Sequence, residues 1–130
     1  MALKFLFIST PLNRSFAEVL AQVLAPYGVL EVSGWQDRPP LSSYDLVFLD
    51  AGVIAESLSP AGLSASLAQL LQEHPDARVV ITSASPTWKR TRDALKVGAL
   101  DIIRQTLNAD RLWYDLKPTL EKYLDQTPPD

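Results

Sequence analysis

Residues 44–50 read Tyr44-Asp45-Leu46-Val47-Phe48-Leu49-Asp50. Four apolar residues in a row run straight into an acid and then into Ala51-Gly52. So short an apolar run, bounded by turn residues, predicts a strand buried on both faces. Such strands belong to parallel sheets, where ligands sit beyond the carboxyl ends, so Asp50 stands where chemistry is expected.

The same signature recurs on either side. Leu3 to Ile8 is apolar and stops at Ser9-Thr10-Pro11. Val29, Leu30 and Val32 suggest a short second strand. Val79-Val80-Ile81 ends in Thr82-Ser83, and Ile102-Ile103 is a brief last one. Helical periodicity fills the gaps. Phe16, Val19, Leu20, Val23 and Leu24 mark one helical face. Ser15 and Glu18 have capping-box spacing there, Pro11 offers an earlier start, and Pro26 and Gly28 stop the helix. Leu63, Leu67, Leu70 and Leu71 mark a helix that His74-Pro75 ends. Ser85-Pro86 predicts an N-cap and first turn, with Gly98 closing that helix. Leu112, Leu116, Leu120 and Tyr123 mark the last helix. Pro118 lies inside it and costs about 3 kcal/mol in a regular helix, so a kink or a late start is expected. Ala51 to Pro60 reads as a loop or a frayed helix start. Gln36 to Ser43 holds Pro39-Pro40 and reads as loop, which leaves the link between strands two and three without a strong helix.

Strands alternating with helices give a doubly wound α/β fold: a five-stranded parallel sheet with helices on both faces. Residues 1–125 make one domain, and 126–130, with Pro128-Pro129, a tail or the start of a linker.

The chain's 130 residues suffice to bury a core, and 47% hydrophobic with 21% charged is globular composition. With no Cys, thiolate metal sites and thiol catalysis are excluded. One His, His74, excludes any site that needs two imidazoles. It sits at a helix end, where an exposed His is the ordinary reading. A net charge of −3 argues against direct nucleic-acid binding. No apolar run suits a membrane span and no signal peptide is evident, so a cytoplasmic location is expected. The scattered glycines form no phosphate-cradling loop, and Ser83 has no base within reach, since His74 lies at the other end of the sheet. An enzyme is not expected.

Three stretches together carry a resemblance. Tyr44–Asp50, Val79-Val-Ile-Thr-Ser-Ala84 and Lys96-Val-Gly-Ala-Leu-Asp-Ile-Ile103 occur in order, with Ser83 fifteen positions before Gly98. Over residues 3–125 the chain resembles the response-regulator receiver family, the CheY-like domains. That resemblance implies the flavodoxin-like strand order 2-1-3-4-5. It also implies a phospho-acceptor carboxylate after strand three and an acidic pair after strand one that helps hold Mg²⁺. A Ser or Thr after strand four, a Lys after strand five and a switch aromatic on strand five complete the pattern.

Carried over, Asp50 matches the acceptor and Ser83 the hydroxyl, with Thr82 as a neighbour that could substitute. Ser9 and Thr10 replace the acidic pair. Gln105 replaces the Lys, Thr106 the Pro that usually follows, and Ile102 the aromatic. Arg104 is adjacent to the lost Lys but points to the opposite side of its strand. Mg²⁺ prefers several hard oxygen ligands, so Asp50 would hold it weakly, and no resident cofactor is expected. The resemblance is therefore to a pseudo-receiver, a non-catalytic interaction domain in two-component signalling. A phosphorylatable receiver with a weakened metal site is the alternative. A small-ligand binder using the hydroxyls of Ser9, Thr10 and Ser83 is a further one. The plain reading of Asp50 is a strand-end carboxylate that bonds nearby backbone amides or faces water.

Lys89, Arg90, Arg92, Lys96 and Arg104 against Asp93 and Asp101 give residues 86–104 a local balance of +3. Trp88 lies beside these cations, and Trp and Arg are enriched at interface hot spots. In the receiver family the face built from helix 4, strand 5 and helix 5 is the usual partner surface. Trp88, Lys89, Arg90, Arg92 and Trp113 are accordingly the candidate contacts to another protein or effector domain, or to a second copy. A solvated basic face with aromatics packed inward is the opposing reading.

Overall fold

The computed structural model describes residues 3–10, 13–52, 62–84 and 88–123. In chain order they form β1 (Leu3–Ile8), α1 (Arg14–Leu24), β2 (Gly28–Ser33), a 3-10 turn (Leu41–Ser43) and β3 (Leu46–Asp50). Then follow α2 (Gly62–Glu73), β4 (Val79–Ser83), α3 (Trp88–Val97), β5 (Asp101–Arg104) and α4 (Ala109–Tyr123). The five strands lie in the order β2-β1-β3-β4-β5, and every neighbouring pair is parallel. The expected strand order is present. The expected tail from residue 126, the Ser85-Pro86 cap and most of the segment after Gly52 lie outside the described residues.

Alternation along the strands sorts their side chains onto two faces. Phe5, Phe7, Phe48, Val80 and Ile103 pack with Phe16 and Leu20 of α1 and with Leu112, Leu116 and Leu120 of α4. Leu6, Ile8, Val47, Leu49, Val79 and Ile81 pack with Leu67 and Leu70 of α2 and Ala94 of α3 on the other face. Phe7 meets Phe16 edge-on at 5.6 Å between ring centroids, a favoured aromatic geometry. The β3 run is wholly buried, as a central parallel strand demands.

Residues 34–45 return the chain from β2 to β3 without an α-helix. Two strand spacings and one strand length are roughly 10 and 17 Å, and a near-extended segment of this size spans that easily. Pro40 is extended (φ −58°, ψ 126°), and the turn after it drives Leu41 fully into the core. Arg38 clamps the segment. Its guanidinium lies 4.2 Å from the Trp35 ring centroid, donates to the Trp35 carbonyl at 2.8 Å and pairs with Glu73 of α2 at 3.7 Å.

Covering both faces of every strand was the expectation, and β1 and β2 depart from it. Lys4 and Glu31 are exposed where a helix would otherwise lie. Instead, the Lys4 ammonium sits over the Tyr44 ring, and the Tyr44 hydroxyl donates to Glu31. That bond to a carboxylate, with partial burial and the nearby negative charge, pushes the Tyr44 hydroxyl up to about 12.

Two local expectations are corrected. The capping box at Ser15 does not form, because α1 already begins at Arg14 with Asn13 at its N-cap. Pro118 does not delay the last helix, since α4 already begins at Ala109 and runs on to Tyr123. Its buried Leu112, Leu116 and Leu120 span the proline on one face, and that packing outweighs the proline's cost. Gly28, read as a helix stop, is also a strand residue in close contact. A Cβ there would lie 2.0 Å from the Leu3 carbonyl oxygen, so only glycine fits. Gly98 does close α3, with φ +127°.

Candidate functional site

Asp50 ends β3 and is 2% exposed. Asp50 and Thr82 are register partners across β3 and β4, so both side chains leave the sheet on the α1 and α4 side. Ser9, one residue past Ile8 on β1, and Gln105, one past Arg104 on β5, alternate onto that same side. Four strand ends thus bring their polar residues to one point.

The carboxylate is enclosed by uncharged donors. Oδ1 accepts the Gly52 backbone N–H at 2.8 Å and the Gln105 side-chain amide at 2.9 Å. Oδ2 accepts the Asn13 side-chain amide, and Ser9 Oγ lies 3.3 Å from it. Ser9 Oγ is also 3.1 Å from the Thr10 carbonyl, so its single proton serves two acceptors. The second proton of the Gln105 amide goes to Thr82 Oγ1 at 3.0 Å. The second proton of the Asn13 amide goes to the Gln105 carbonyl oxygen at 3.3 Å. Asp50, Asn13 and Gln105 therefore close a ring in which both amide groups are spent.

This donor set does not fit a magnesium ion. Mg²⁺ needs near-octahedral oxygen ligands with carboxylate help, and here one carboxylate already has both oxygens occupied by N–H and O–H donors. Among the described residues no group of three or more His, Cys, Asp or Glu side chains is placed to hold a metal.

No sequence-family profile and no curated protein matches the chain. Solved structures do. A response regulator from Thermotoga maritima superposes with a TM-score of 0.65 at 19% identity, over 94% of this chain and 100% of that one. The chain has the receiver fold. An orphan response regulator of H. pylori superposes at 0.62 and 18% identity, over 91% and 96%. A response regulator from Burkholderia pseudomallei, solved with a phosphorylated aspartic acid, calcium and citrate, does so at 0.57 and 19%, over 96% and 75%. Between β2 and β3, where a doubly wound sheet ordinarily carries a helix, the chain has the 3-10 turn at Leu41–Ser43.

Within this receiver fold the sequence-derived residues fall in different places. Asp50, Ser9, Gln105 and Thr82 come together. Thr10 adjoins them through its backbone, accepting from Ser9 and from the Asn13 N–H. Ser83 was expected to be the hydroxyl at the acid. It is 4% exposed and alternates to the opposite face, and Thr82 takes the place beside Gln105 instead. For the same reason Ser9 and Ser83 do not converge on a shared crevice. Arg104 is exposed, opposite Gln105.

Trp113 is also corrected. Its ring stacks on Tyr27 after α1 (5.6 Å, 28°), while Thr119 of the same helix bonds Asp101 of β5. Six positions on an α-helix separate the two by about 120°, so Trp113 serves the core beside α1 and not a face shared with α3. Arg92 is exposed on α3. The side chains of Trp88, Lys89 and Arg90 lie outside the described residues.

Asn13 is the residue that sequence reading missed. An Asn just before a helix signals an N-cap. Its side chain makes no cap bond and turns to Asp50.

Proposed function

We propose that the chain is a pseudo-receiver. It is a non-catalytic signalling domain that works through protein contacts, and its Asp50 is held as a structural carboxylate. The supporting observation is the set of four uncharged donors on a buried acid. Attack by a carboxylate on an anionic phosphoryl group gathers negative charge, which receiver chemistry offsets with a divalent ion and an ammonium. At this site the ammonium position holds the Gln105 amide and the acidic pair is Ser9 and Thr10. The receiver fold of the neighbours supports a place in two-component signalling, with another protein domain as partner. The exposed Arg92, Arg104 and Leu95, the last 44% exposed, offer a cationic, partly apolar surface for it.

Incubation with acetyl phosphate and Mg²⁺, read by intact mass, tests this. The expected result is an unchanged mass. A phosphoryl adduct that disappears in Asp50→Ala establishes the phosphorylatable alternative instead.

No helix among the described residues is long and apolar enough to cross a membrane.

A further inference from the structure

Helix α1 and strand β2 do not close on one another along their whole length. Positions 14, 17, 18 and 21 of α1 share one helical face. Two of them are Ala17 and Ala21, too small to fill the space toward β2. A groove of about 720 Å³ remains at the carboxyl ends of β1 and β2. That volume lies in the usual range for small-molecule sites, and the position is where open α/β sheets bind ligands.

The groove has three zones. Its floor is apolar, made by Ala17, Ala21 and Val32, and Val32 is 56% exposed. Its rim carries one cation, Arg14 on α1, and two acids, Glu18 one turn along α1 and Asp37 on the segment after β2. All three are exposed, and none is in an ion pair among the described residues. Its inner end is formed by Ser9 and Asn13, the same two residues that donate to Asp50.

We propose that this groove binds a small zwitterion with an apolar body, of the chemistry and size of an apolar dipeptide. Arg14 takes the carboxylate, Asp37 takes the ammonium, and the side chains lie on the alanine and valine floor. A peptide carbonyl at the inner end competes with Asp50 for the Asn13 amide. Occupancy is thereby coupled to the Asp50 ring. Only this coupling rests on the pseudo-receiver reading; ligand binding itself does not.

The probe is leucyl-leucine, titrated into the full ¹⁵N-labelled chain, alongside its N-acetylated and its C-amidated forms. The expected result is saturable movement of the Ser9, Asn13 and Gly34 amide signals, and of the Asn13 side-chain amide, with a Kd of about 1 mM. Blocking either charge weakens binding about tenfold, and Arg14→Gln and Asp37→Asn do the same to the free dipeptide. Ala21→Leu, a substitution on a half-exposed helix face that keeps the fold, fills the floor and abolishes it. No movement with the free dipeptide overturns the proposal. So does equal binding of the blocked forms, or binding that survives Ala21→Leu. Binding that leaves the Asn13 side-chain signals unmoved overturns the coupling. A phosphoryl adduct on Asp50 would remove the pseudo-receiver reading and leave this titration as it stands.

Discussion

Asp50→Ala is expected to lower the unfolding free energy by about 3 kcal/mol, seen as a lower urea midpoint at unchanged slope. The substitution strips the acceptor from Ser9 Oγ, the Asn13 and Gln105 amides and the Gly52 N–H together. Hydrogen bonds to a charged acceptor are worth about 1.5–3 kcal/mol each, and half-buried donors such as Asn13 recover part of that from water. The sign is the informative part. Where several carboxylates crowd one site, removing one relieves repulsion and raises stability. Among the described residues no second carboxylate joins Asp50 in the donor ring, so the loss is uncompensated. Asp50→Asn should cost less, about 1–2 kcal/mol, since one oxygen still accepts while its amide meets the donors of Ser9 and Asn13. An Asp50→Ala protein as stable as the parent, or more so, would show that the ring holds nothing together.

Leu41→Ala should cost about as much, in the range of roughly 2–5 kcal/mol for a buried leucine. Leu41 is fully buried, and it is the anchor by which the segment from β2 to β3 covers the sheet without a helix. Trp35 and Tyr44 of the same segment pack against that core, so truncation leaves a cavity that extended, proline-bearing backbone cannot collapse to fill. Ser42→Ala, on the exposed side of the same turn, should change stability by no more than about 0.5 kcal/mol. Urea unfolding of the two variants side by side checks this. Equal, small effects would mean that the segment rests on the sheet without supporting it.

What could be read from the sequence follows from how local the signals are. Leu46–Leu49 followed by Asp50 placed the central strand and its acid, because an unbroken apolar run reports burial on both faces directly. Pro39-Pro40 signalled a link without a strong helix just as locally, because proline lacks the N–H that a helix interior needs. The face of each side chain was harder. Motif spacing pointed to Ser83, yet parity with Asp50 across paired strands selects Thr82, and that register is visible only once β3 and β4 lie side by side. Trp113 and Thr119 diverge around α4 by an angle that sequence contains, but which flank meets α1 depends on packing. Asn13 carried no signal of its own, since the capping-box spacing drew the helix start to Ser15; its amide turns from the helix backbone to a long-range acceptor on β3.

The side-chain amide signals of Asn13 and Gln105 report the Asp50 ring directly, so their response to Mg²⁺, alone and with beryllofluoride, is the decisive measurement. Both pairs of signals staying in place through the titration is the expected result. If the two move together and saturate, the acid has released its donors to an ion, and Asp50 belongs to a working metal site.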